Sequence, residues 1–113
     1  MLPLSSSVRP QMESWSPATE NEVSSIVDRD LVECPDELLA FFARVRVPLR
    51  AVPITRFGEI ESVYVAAERD GMVIYYEDVE EGFNLSRLGD DGGIANPGWE
   101  QWDLCQALRQ LSA

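Results

Sequence analysis

Residues 62–79 read SVYVAAERDGMVIYYEDV, two apolar runs on either side of the dipeptide Asp70-Gly71. This dipeptide favours a two-residue type I′ turn, because both of its positions accept positive φ. The stretch therefore predicts a β-hairpin with strands at 62–69 and 72–79. In the register that the turn sets, one face carries six apolar side chains, which are Val63, Val65, Ala67, Met72, Ile74 and Tyr76.

The opposite face of this hairpin is also partly apolar. It carries Tyr64, Ala66, Val73 and Tyr75. Helices should cover one face of the sheet. The other face needs a cover of its own, or it is an exposed patch available to a partner or to a second copy, which would allow a homodimer.

Two helices are predicted before the hairpin. Thr19 and Glu22 have capping-box spacing ahead of an amphipathic helix at 20–31. Pro35 and the acids after it open a second helix. Residues 49–57 are predicted to be extended and to lie at a sheet edge, because Pro53 cannot donate a ladder hydrogen bond.

The chain after the hairpin is predicted to add a strand and a final helix. Glu80-Glu81-Gly82 turns the chain into a strand at 83–88, through a two-residue loop or a three-residue loop with Gly82 left-handed. Both loops stay open, and they place Phe83 and Leu85 on different faces. Asn96-Pro97 is predicted to cap a helix that continues through Leu111.

Together these elements predict an α+β fold. It has two N-terminal helices, an antiparallel meander of three or four strands, and a C-terminal helix packed on one sheet face. Residues 1–18 are rich in Ser and Pro, and we expect a disordered or loosely docked arm there, followed by a single domain over residues 19–113.

The charge is strongly negative and uneven. The chain has a formal net charge of −11, with 20 acids against 9 arginines and neither lysine nor histidine. Residues 59–91 hold ten acids and two arginines, whereas residues 38–58 hold four arginines and no acid. The two stretches either pair in the fold or stay solvated. The acid excess predicts a basic protein partner, no nucleic acid and no membrane.

Four of these acids surround one predicted turn. Clustered carboxylates repel one another unless a cation or a basic partner relieves them, so we expect this cluster to stay open to solvent as a contact surface. Two tryptophans on the predicted final helix would anchor the partner, or would instead be buried at the sheet rim. The predicted partner-binding residues are Glu77, Asp78, Glu80, Glu81, Trp99 and Trp102.

The composition argues against catalysis and against a resident metal. Without histidine there is no ordinary general base, and without lysine there is no Schiff base, so we expect no enzyme and no cofactor. An EF-hand loop does not fit around either Gly82 or Gly92, and zinc lacks ligands. A loose calcium or magnesium site on the four clustered acids is the alternative.

Two cysteines lie far apart in the chain. Cys34 and Cys105 are expected to be buried free thiols in a reduced compartment, and a disulfide is the alternative. The start of the chain does not resemble a signal peptide, and no apolar run is long enough to span a bilayer. We therefore expect a soluble, cytoplasmic protein.

The stretch from Met72 to Leu88, followed by a tryptophan-bearing terminal helix, resembles small bacterial α+β proteins. In layout the chain is similar to immunity proteins that neutralise secreted toxins. The resemblance covers about residues 34–111 and rests on this layout and on residues 75–84, YYEDVEEGFN. It implies an immunity or inhibitor protein that neutralises a basic partner. The second hypothesis is a ligand- or metal-responsive regulatory domain.

Overall fold

The structure, a computed structural model, describes residues 17–113. In chain order its elements are α1 (Glu20–Leu31), α2 (Asp36–Val45), β1 (Arg46–Arg56), β2 (Glu59–Arg69), β3 (Met72–Glu77), β4 (Gly82–Arg87) and α3 (Leu104–Ser112). The four strands form one antiparallel sheet in the order β1-β2-β3-β4. This confirms the predicted α+β fold. The predicted N-terminal arm lies almost wholly outside the described residues.

The three helices share a core with one face of the sheet. The Thr19 capping box that begins α1 is confirmed, and α2 begins directly after Pro35. Val23, Phe42, Phe83 and Leu108 are buried in this core. Each such side chain stabilises the fold by about 1.5–3 kcal/mol through removal of apolar surface from water. Within residues 17–113, no helix is long and apolar enough to cross a bilayer.

A disulfide joins the α1–α2 loop to the first turn of α3. Cys34 and Cys105 are bonded across a sequence separation of 71 residues, so the prediction of free thiols is wrong. The buried carboxylate of Asp30 supports the same junction by accepting from the Leu104 N–H at 3.0 Å. A carboxylate is stabilising there, because the N-terminus of a helix carries positive partial charge. The spacing of two distant cysteines cannot reveal such a contact.

The predicted register of the central hairpin holds near its turn and fails farther along. Arg69 pairs with Met72 and Ala67 with Ile74, as the Asp70-Gly71 turn requires. A shift between Val65 and Ala67 then pairs Val65 with Tyr75. One extra residue in a strand moves every following side chain to the other face. Val63 and Val65 therefore lie with Tyr75 on the face away from the helices.

The β3–β4 turn differs from both loops that the sequence left open. Glu77 pairs with Gly82, so four residues lie between them, and the left-handed residue is Glu81, with φ of 58°. Gly82 is needed for another reason, since a Cβ there would lie 2.4 Å from Gln101 Cα. Phe83 pairs with Tyr76, and both side chains belong to the core beneath the helices.

The face of the sheet away from the helices is covered by residues 88–100 of the same chain. Ile94 is buried there, and its N–H donates to the Pro53 carbonyl at 2.9 Å. The observed cover is therefore intramolecular. The final helix is shorter than predicted, because Asp103 caps it by accepting from the Gln106 N–H at 2.8 Å. Both tryptophans thus lie before the helix, and their predicted helical placement is wrong.

We expect reduction of the disulfide to lower the free energy of unfolding by about 3–4 kcal/mol, because the bond closes a long loop in the unfolded chain. Urea denaturation with and without dithiothreitol measures this loss. A Cys34→Ser/Cys105→Ser variant should match the reduced protein and should not respond to reductant. Equal stability of the oxidised and reduced proteins would contradict the prediction.

Candidate functional site

The β1–β2 hairpin extends beyond the rest of the sheet. Pairing of β2 with β3 ends at Tyr64 and Tyr76, whereas pairing of β2 with β1 continues to Arg56 and Glu59. From here on, the arm means residues 54–61 of this hairpin and not the predicted N-terminal segment. A two-residue turn at its end leaves the side chains of Phe57 and Ile60 81% and 75% exposed. The β3–β4 turn lies at the same end of the sheet, because alternate turns of a meander share an end.

Arg56 connects the arm to the β3–β4 turn. Its side chain is buried, and its guanidinium pairs with Glu61 of the arm and with the fully buried Glu77. It also lies 3.4 Å from Asp78 Oδ1. Glu77 Oε1 further accepts from the Val79 N–H at 3.0 Å. The Arg56 guanidinium thus pairs with three carboxylates, one from the arm and two from the end of β3 and the turn that follows it.

This arrangement corrects the expected open cluster of four carboxylates. Glu77 is fully buried, and the side chain of Asp78 is only 7% exposed. Both are neutralised inside the protein, because a buried carboxylate requires a cation or hydrogen bonds to offset its lost hydration. Arg56 belongs to the arginine stretch at residues 38–58, so at this position the two charged stretches pair in the fold.

The pKa of Arg56 is raised above its ordinary value. Burial alone would lower it, but the hydrogen bonds to Glu61 and Glu77 and their negative charges outweigh burial. The guanidinium therefore stays charged throughout the pH range of a folded protein. The ion pairs of Arg56, which brace the arm against the β3–β4 turn, are therefore not lost through deprotonation of the arginine.

The other four predicted residues divide between two sides of the same end. In the turn, Glu80 is half-buried and Glu81 is exposed. Trp102 is half-buried and lines a small cleft together with Glu81 and Arg29, on the helical side. Trp99 is 54% exposed and contacts the ring of Phe57, with 5.7 Å between the ring centroids. The structure therefore separates the two tryptophans.

Trp99 is held in place by hydrogen bonds from its two neighbours. The Gly98 N–H donates to the Tyr75 hydroxyl at 2.8 Å. The Glu100 N–H donates to Asn84 Oδ1, and Asn84 Nδ2 donates to the Glu100 carbonyl, both at 2.9 Å. Tyr75 and Asn84 are fully buried in the sheet. The exposed ring thus stands on a backbone fixed on both sides.

Phe57 is the functional candidate that the sequence did not indicate. Its φ is 53°, in the left-handed region, which is an outlier for a bulky side chain. An outlier at an exposed aromatic residue supports a hypothesis of function. The only available signal was the Phe57-Gly58 dipeptide between two extended runs, and type I′ turns usually carry Asn or Asp at the first of these positions.

These groups form what we call the tip surface. It comprises the apolar and acidic side chains of the segments that meet at this end of the sheet, and within it the rings of Phe57 and Trp99 are in contact. Its members are Phe57, Ile60, Val79 and Trp99, with Glu59, Glu61, Glu80, Glu81 and Glu100. Within residues 17–113, no group of three or more acids or cysteines is placed to hold a metal ion. The tip surface can make apolar contacts and can attract positive charge.

Comparisons with known proteins give the chain no relatives. No protein-family model, no curated protein and no solved structure matches it.

We expect Arg56→Met to lower the free energy of unfolding by about 3–5 kcal/mol, because it leaves the buried Glu77 without its cation. Urea denaturation followed by circular dichroism measures the loss. The Arg56→Met/Glu77→Met double variant should recover a large part of it.

Arg50→Met provides the matched control. Arg50 lies on the same strand, but its pair with Glu68 is partly exposed, so its removal should cost less than about 1 kcal/mol. Equal losses for Arg50→Met and Arg56→Met would show that the buried ion pair does not stabilise the tip.

We also expect stability to fall at alkaline pH. Burial raises the pKa of Tyr75 above 10.0, so the folded state keeps a proton that the unfolded state loses near pH 10. The contribution is fully present below about pH 10 and is lost as the pH rises through the folded-state pKa. Urea denaturation from about pH 8 to about pH 11 tests this fall.

Tyr75→Phe is the control for the alkaline effect. It should cost about 1 kcal/mol near neutral pH, because the Gly98 N–H loses its acceptor. Above about pH 10 its stability should fall less steeply than that of the original protein. Burial also raises the pKa of Tyr76, so some slope remains. An unchanged slope in Tyr75→Phe would contradict the assignment.

Proposed function

We propose that this protein is a non-enzymatic, acidic protein-binding module whose tip surface binds a basic protein partner. The observation that carries the proposal is the contact between the exposed rings of Phe57 and Trp99 at the end of a braced arm. Aromatic side chains presented on rigid backbone lose little conformational freedom on binding and often dominate the energy of an interface.

The charges of the tip surface support a basic partner. The tip surface carries Glu59, Glu80, Glu81 and Glu100 at the same end of the sheet, and the buried Arg56 of the arm is already paired with acids. An acidic rim speeds the encounter with a positively charged protein and disfavours acidic partners. Glu77 and Asp78 act indirectly in this proposal, because they hold Arg56 and so the arm. Trp102 lies on the helical side, next to Glu81.

The concrete case that we favour is an immunity or inhibitor protein. It rests on the layout of the chain and on the tip surface together. The absence of histidine and lysine from the sequence supports a function without catalysis. The disulfide favours an oxidising compartment over the cytoplasm that the sequence predicted, since cytosolic proteins seldom keep such bonds.

Phe57→Asn gives the sharpest test, because it should separate stability from binding. Asn adopts left-handed φ more readily than Phe, so the variant should be equally stable or more stable by about 0.5–1 kcal/mol. Capture of partners from a lysate of the source cell should nevertheless fall about tenfold or more, by quantitative mass spectrometry. Trp99→Ser should show the same loss of capture.

Two controls accompany this experiment. Val32→Asn changes a side chain that is 80% exposed at the end of α1, and it should leave capture unchanged. Charge reversal at Glu80 and Glu81 should weaken capture, and high salt should weaken it further. If every partner of the original protein stays bound after Phe57→Asn and after the charge reversals, the proposed function is wrong.

A further inference from the structure

An open cavity of about 480 Å³ lies between α1, the start of β1 and β2. Small-molecule sites usually have volumes of about 300–1,000 Å³. The buried side chains of Val27, Phe42 and Ala66 form its floor, and Leu49 forms part of its wall. None of the residues that line it belongs to the tip surface. The cavity therefore calls for an explanation separate from partner binding.

Two irregularities of the sheet create this space. Pairing between β1 and β2 is interrupted between Arg46 and Arg50, so residues 47–49 leave the regular ladder. Directly opposite, β2 carries the register shift between Val65 and Ala67, and the small Ala66 faces the cavity. Irregular pairing of this kind is common next to binding sites, where it re-aims side chains.

Arg46 supplies a cation at this cavity. Its guanidinium lies 4.7 Å from the ring centroid of Phe42, which fixes it beside the apolar floor. Arg50 and Arg56 of the same strand pair with carboxylates. Among residues 17–113, no carboxylate pairs with Arg46, although acids outnumber arginines in this chain by more than two to one.

We propose that this cavity binds a small amphipathic anion. An apolar body contacts Val27, Phe42 and Leu49, and a carboxylate is held by the guanidinium of Arg46. Arginine suits this task because its planar fork of donors matches the two oxygens of a carboxylate. Asn21 and Ser24 of α1 add polar groups at the opening. Glu20 lies there too; it and Arg46 are both exposed, so solvent screens its repulsion as well as the long-range attraction of Arg46, and the anion is held by direct contact with the guanidinium.

The test uses the full chain and three probes that differ only in their polar group: octanoate, octanol and octylammonium. Titration followed by nuclear magnetic resonance should give binding at residues around the cavity in the order octanoate, octanol, octylammonium. Arg46→Gln should weaken octanoate about tenfold and leave octanol unchanged, because only the charge-assisted contact is lost. Arg44→Gln is the matched control, since Arg44 stacks on Phe41 and does not line the cavity.

Ser24→Phe should block the site, because Ser24 is exposed at the opening and a phenyl ring there narrows it without touching the core. Three results would overturn the proposal. The first is that octanoate does not bind the original protein. The second is that octylammonium binds more tightly than octanoate. The third is that Arg46→Gln and Arg44→Gln weaken the binding of octanoate equally. A shift of the Trp15 indole signal in Ser24→Phe without octanoate binding would assign the cavity to the chain's own N-terminal residues instead.

Discussion

The ion pair between Arg56 and Glu77 is the interaction on which one whole end of the molecule depends. Both side chains are removed from water, and burying either charge without the other would be strongly destabilising. Arg56 belongs to the arm and Glu77 ends the third strand, so the pair fixes two separate segments relative to one another. The exposed Phe57 directly follows Arg56 in the chain. The buried ion pair thereby helps to fix the position of the exposed Phe57 side chain.

The segment after the sheet is held by a different constraint, the close approach of its backbone to the last strand. Gly82 and Gly98 lie where a Cβ would meet Gln101 Cα or Asn84 Oδ1, each at 2.4 Å. These contacts let residues 98–102 lie against the last strand, where the Phe83 N–H donates to the Trp102 carbonyl at 2.8 Å. Trp99 and Trp102 consequently point to different sides of the sheet end, although three positions separate them in sequence.

Local signals predicted the local structure, and tertiary contacts decided the rest. The Thr19 capping box and the Asp70-Gly71 turn act within a few residues, and both occur as predicted. The shift at Ala66 leaves no mark in an apolar run, because alanine and valine suit either face of a sheet buried on both sides. Burial of Glu77 could not be deduced either, since it depends on an arginine 21 positions earlier. The candidate site differs most from its prediction, because acids that are neighbours in the sequence, such as the buried Glu77 and the exposed Glu81, have different surroundings in the fold.

The arm is only two strands wide. A two-stranded ribbon has two unpaired edges, and each edge offers free N–H and C=O groups to any extended chain that meets it. Directly before the arm, Pro53 has no N–H to donate and its carbonyl already accepts from the Ile94 N–H, and the charge of the exposed Glu59 discourages approach to the other edge. Like charges at this end of two copies repel one another, which disfavours cross-β association between them. A chain of the same shape with neutral, apolar residues at these positions would carry a template for aggregation.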